Sequence, residues 1–96
     1  MKAIFITYNQ AYSDEIVDIL EVRGQRGYTR WSDIQGRGTT DGIPRLGNHA
    51  WPEQNHAVIS IVPDDKVPGI VEALKAKDLQ APSLGLRFFV WSVEEY

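Results

Sequence analysis

Three arginines, a glycine pair and two histidines hold most of the chemistry available to this sequence of 96 residues. Arg37, Arg45 and Arg87 together could bind an anion, because a guanidinium offers paired donors to phosphate or carboxylate oxygens. Gly36 and Gly38 flank Arg37, and glycine lets backbone N–H groups come close to such oxygens. Taken alone the pair also marks an ordinary turn, and arginines on a small protein commonly only solvate its surface. His49 and His56 stand seven apart, which is not a compact metal-ligand spacing. One histidine from each of several symmetry-related copies could still supply ligands to a divalent ion, with Glu53 or Asp41 assisting. The plainer reading leaves each histidine in water or hydrogen-bonded locally. Trp51, in "HAWPE", is stiffened by Pro52 and suits a partner anchor flanked by Arg45 and His49. It could equally fold back onto the body.

Catalysis is not expected. There are no cysteines. None of Ser13, Ser32, Ser60, Ser83 and Ser92 stands in a motif that pairs it with a histidine base. Adjacent Glu94 and Glu95 would point to opposite faces of a strand.

These residues need a scaffold, and the chain has enough length for one domain with a modest core. A net charge of −3 argues against nucleic-acid binding, which normally shows a basic face. The apolar run Ala57–Val62 is far too short to span a membrane. The opening "MKAIFITYNQ" lacks the apolar core of a signal peptide, so a cytoplasmic location is expected. Lys2–Tyr8, Tyr28–Gln35, Ala57–Val62 and Leu86–Val93 read as strands. Ser13 is the expected cap of a first helix, with Asp14 and Glu15 in its first turn and Ile16, Val17, Ile19 and Leu20 on its buried face. Asp65 is the expected cap of a second, in which Val67, Ile70, Val71 and Leu74 follow the i, i+3, i+4, i+7 spacing. The order is β-α-β-β-α-β, a ferredoxin-like α+β arrangement with a long loop between strands 2 and 3.

The strands are apolar on both faces. Ile4 and Ile6 oppose Ala3 and Phe5; Leu86, Phe88 and Val90 oppose Phe89, Trp91 and Val93. Two helices cover only one face of a four-stranded sheet, so another subunit is the economical cover for the second. Trp91 belongs either to the core or to that interface.

Three stretches resemble the PII-like signalling proteins: "IQGRGTTDG" (Ile34–Gly42), "AVISIVPDDKVPGIVEAL" (Ala57–Leu74) and "LGLRFFVWSVEE" (Leu84–Glu95). The resemblance spans the chain and implies a single domain over residues 1–96, a homotrimer, and effector binding in clefts between subunits. Gly36–Asn55 would be the T-loop, which projects from the body and docks on a partner, with a membrane transporter the first partner class to name. Gly36, Arg37 and Gly38 would line the loop's base, Gly85 and Arg87 would supply a basic turn from the adjoining subunit, and Val62 would flank an adenine. The effector would be a nucleotide, another anion or a metal ion. Thr39 and Thr40 depart from the basic and amide residues usual after Gly38. A CutA-like divalent-metal-binding trimer, which shares the fold, is the alternative.

Overall fold

The structure, a computed structural model, describes residues 1–37, 40, 43–48 and 53–96. Four strands and two helices alternate in the expected order: β1 (Lys2–Asn9), α1 (Ser13–Val22), β2 (Thr29–Ile34), β3 (Asn55–Val62), α2 (Val67–Gln80) and β4 (Arg87–Ser92). The strands form one sheet in the order β2-β3-β1-β4, and every neighbouring pair is antiparallel. This is the ferredoxin-like sandwich.

Strand parity decides which residues are buried. Ile4, Ile6 and Tyr8 of β1 and Val58 and Val62 of β3 point toward the helices and meet Ile16, Leu20, Ile70 and Leu74 in one core. Val67 and Phe88 pack against its edge. The opposite face carries Phe5, Trp31, Ile59, Ile61, Phe89 and Trp91, and no helix covers it. Phe5 meets Trp31 edge to face with ring centroids 6.4 Å apart. Trp31 and Trp91 are each 45% exposed and Phe89 is 49% exposed. Trp91 is therefore not a core residue of the single chain.

Both expected helix caps are displaced. A 3-10 turn, Gln10–Tyr12, precedes α1, and it is Asn9 whose side chain caps it by accepting from the Ala11 N–H. Ser13 caps nothing, because its hydroxyl is engaged with His56. Before α2 another 3-10 turn, Asp64–Lys66, makes no side-chain cap, and Asp64 pairs with the N-terminal ammonium at 3.0 Å. Pro68 does sit in the first turn of α2, where no intrahelical donor is lost. The helices are joined by Lys77, which reaches Glu15 at 2.6 Å and lies over the Tyr12 ring.

Candidate effector cleft

The turn before β4 begins the site. A 3-10 turn, Pro82–Leu84, ends at Gly85, whose φ of 68° is a left-handed conformation that glycine adopts without strain. The chain then enters β4 at Arg87, directly across from Thr7 of β1. On the other side of β1, β3 brings Asn55 to the end of the sheet, opposite Ile34 of β2. Just beyond Ile34, Gly36 pairs with Arg45 in an isolated antiparallel bridge. A Cβ at Gly36 would come within 2.7 Å of Asn55 Nδ2, so any side chain here would have to displace the Asn55 carboxamide that Arg45 holds.

These elements enclose an open cleft of about 320 Å³ lined by Thr7, Ile34, Gln35, Gly36, Arg37, Asn55, Arg87 and Phe89. Gly36, Arg37 and Arg87 thus share one wall system within a single subunit, and no subunit boundary is needed to bring them together. The donors are two guanidiniums, two carboxamides and a hydroxyl, and they stand beside the apolar surfaces of Ile34 and Phe89. Such a set can hold an anionic group next to a flat apolar one. Arg87 also lies over the Phe89 ring, 5.8 Å from its centroid. Thr7, Gln35, Asn55 and Phe89 were missed from sequence. Only strand pairing, which no local motif reveals, shows that they meet.

Val62 is not in this cleft. Its side chain is fully buried in the core, and it pairs with Lys2 at the far end of β1. Its parity with Val58 turns it toward the helices, so within one subunit it presents no side chain to an adenine. Gly85 is buried, and it acts by setting the turn that delivers Arg87.

Arg45 departs most from expectation. It is only 3% exposed, so it cannot serve as a surface contact for a partner. Its Nη1 donates to Asn55 Oδ1 at 2.9 Å, and Nη2 donates to the Leu84 carbonyl. Nε lies 3.9 Å from Glu53 Oε2, which itself accepts from Asn9 Nδ2 at 2.9 Å. Burial lowers the Arg45 pKa, and the Glu53 charge partly offsets that.

His56 is wedged under α1. Its Nδ1 lies 3.0 Å from Ser13 Oγ, and its Nε2 lies 3.5 Å from Asp33 Oδ1. Asp33 stands at a register shift between β2 and β3, with φ at 58°. No sequence motif pairs them, yet the fold brings Ser13 and His56 together. Ser13 Oγ also accepts from Arg30 Nη1 at 3.4 Å. The trio has the residue types of a hydrolytic triad, yet none of its members lines the cleft above. Ser13 Oγ and Asp33 Oδ1 stand at the approaches to the two ring nitrogens, which works against the metal reading at this residue. Among the described residues no three His, Asp or Glu side chains cluster as metal ligands. Glu94 and Glu95 lie beyond the end of β4, so the strand-face argument does not apply to them. Gly38, His49 and Trp51 lie outside the described residues.

Among the described residues no helix is long and apolar enough to cross a membrane. Comparison with curated proteins gives no match. Solved structures do match. The apo form of CPII from Thiomonas intermedia K12, a nitrogen regulatory PII-like protein, is 19% identical with a TM-score of 0.72, over 94% of this chain and 85% of that one. CPII bound to ADP and bicarbonate is 22% identical with a TM-score of 0.77, over 94% of this chain and 82% of that one. CPII bound to ADP, AMP and acetate is 19% identical with a TM-score of 0.66, over 93% and 81%. At these identities the likeness establishes the fold. The family description "Nitrogen regulatory protein P-II" matches residues 1–96. The chain belongs to the nitrogen regulatory protein P-II family.

Proposed function

We propose that this protein is a PII-like trimeric regulator that binds an adenine nucleotide, together with or replaced by a small carboxylate-like anion, at the Gly36–Arg37–Arg87 cleft. It signals through the Gly36–Asn55 loop to a partner, a membrane transporter being the class named first. The observation that carries the reading is the cleft itself, where paired guanidinium donors stand beside an aromatic wall. Support comes from CPII, which has the same fold and is bound to ADP with bicarbonate in one structure and to ADP, AMP and acetate in another. The uncovered aromatic face supports a trimer, which would bring further residues to each cleft. Trp51 and His49 are assigned to partner docking, and Arg45 is withdrawn from that role because it is buried.

Calorimetric titration with ADP, AMP and bicarbonate tests the reading. Arg87→Ala should weaken ADP binding by about tenfold or more, since a charge-assisted hydrogen bond contributes about 1.5–3 kcal/mol. The oligomer should be unchanged. Binding of none of the three ligands, or ADP binding indifferent to Arg87→Ala, would refute the assignment. Amide exchange in the Gly36–Asn55 loop should also slow when ADP is added, and exchange that ignores the ligand would remove the loop from the signalling role.

A further inference from the structure

The buried loop arginine contacts two of the segments that line the cleft, the loop base at Gly36 and the start of β3 at Asn55, and the turn that leads to a third, Arg87. Through its backbone, Arg45 makes both hydrogen bonds of the bridge to Gly36, at 2.6 and 2.9 Å. Through its guanidinium it holds Asn55, the first residue of β3, and the Leu84 carbonyl in the turn that leads to Arg87. Loop base, β3 and the β4 turn are otherwise distant in sequence. A guanidinium is a planar fork with fixed donor directions, so a shift in one of these segments is passed to the others. The side chain is also poorly satisfied for a group so deeply placed. Its Nε is buried without a hydrogen bond, and the Glu53 carboxylate at 3.9 Å is too far to accept one. A buried ion with an unpaired donor is a poor device for stability alone.

We propose that Arg45 is a positioning residue that couples occupancy of the cleft to the conformation of the loop. An anion that engages Gly36–Arg37 and Arg87 moves the loop base and the β4 turn as one unit, because the Arg45 guanidinium spans them. The proposal deepens the function above and rests on the cleft being the effector site.

Arg45→Lys keeps the charge and the aliphatic stem but replaces the planar two-nitrogen fork with a single nitrogen, so the two acceptors are no longer held in a fixed geometry. In the ligand-free protein, exchange of the Gly36 and Gly85 amides should rise together by about tenfold, the equivalent of one lost charge-assisted bond. The amides of Ile6 and Val58 at the sheet centre should stay as they are. A general loss of stability would speed all four, and an unchanged Gly85 would show that the turn is not coupled; either result overturns the proposal. Arg45→Met, which keeps much of the stem, gives the same comparison should the lysine variant fail to fold. With ADP and bicarbonate added, wild-type protein should show slowed exchange over residues 45–47, and Arg45→Lys should bind ADP without that slowing. Equal slowing in both overturns the coupling. If the wild type binds neither ADP, AMP nor bicarbonate, the effector assignment fails, and the ligand-free comparison still decides whether Arg45 links loop and turn.

Discussion

Replacing Trp91 with serine should dissociate the proposed trimer while leaving the subunit folded. Trp91 sits on the helix-free face and is 45% exposed in the single chain. A tryptophan presents up to about 250 Å² of surface, so roughly 110 Å² remains for a neighbouring copy to cover. At about 25 cal/mol per Å², burying that surface is worth ~3 kcal/mol per subunit. Three equivalent sites give ~8 kcal/mol, or about a millionfold in the trimer association constant. The figure is an upper bound, since association also costs translational freedom and interface ordering. Light scattering over a dilution series from high micromolar to nanomolar chain reads the shift, and far-UV circular dichroism checks that the sheet persists. A wild type that is monomeric throughout would refute the oligomer. A serine variant that dissociates no sooner than wild type would place Trp91 outside the interface.

Two further predictions concern groups that the fold places in unusual surroundings. The Tyr8 hydroxyl is buried with no hydrogen-bond partner, so Tyr8→Phe should stabilise the protein by about 1 kcal/mol. Urea unfolding measures this, and a loss of similar size would mean that the hydroxyl has a partner. Burial also pushes the Tyr8 pKa above its ordinary 10.0. A raised pKa favours the protonated native form, so this contribution is complete below that value and is lost as pH climbs past it. Tyr8→Phe should therefore flatten the alkaline decline, and identical alkaline curves would show that Tyr8 does not titrate on unfolding. Asp64 is the reverse case: a hydrogen bond from the N-terminal ammonium lowers its pKa below the ordinary 3.8. Its stabilising effect is present above that value and disappears as pH falls through the folded pKa. Asp64→Asn should remove this acid-side dependence, and a variant that tracks wild type down the acid limb would show that the pair does not form in solution.

The element order was legible because the periodicities are clean. The spacing of Ile70 and Leu74 in α2 selects one face, while β1 is apolar on both, so its parity groups Ile4 with Ile6 and only the position of the helices makes theirs the core side. The caps were not legible. Ser13 and Asp65 have the right chemistry at the right places, but a cap is chosen by competition among partners that are distant in sequence. Ser13 Oγ is drawn to His56 and Arg30, while Asp64, beside Asp65, is drawn to the chain's own N-terminus. Parity in β3 groups Val62 with Val58 but also with Ser60, so only the position of the helices shows that theirs is the core face.

Arg45 could not have been placed by any local rule. A charged residue in a glycine-rich loop is ordinarily solvated, and what draws this one inward is a pair of acceptors that exist only after folding. The Leu84 carbonyl lies at the end of a 3-10 turn, and Asn55 Oδ1 lies where β3 begins. Once inside, the guanidinium satisfies those acceptors but leaves its own Nε short of one. The deficit has a physical consequence. An unsatisfied buried donor lowers the cost of leaving this arrangement, and a ligand shifts a balance between arrangements only by its differential affinity for them. On the proposal made above, the same residue that closes the base of the loop would keep it responsive to what enters the cleft.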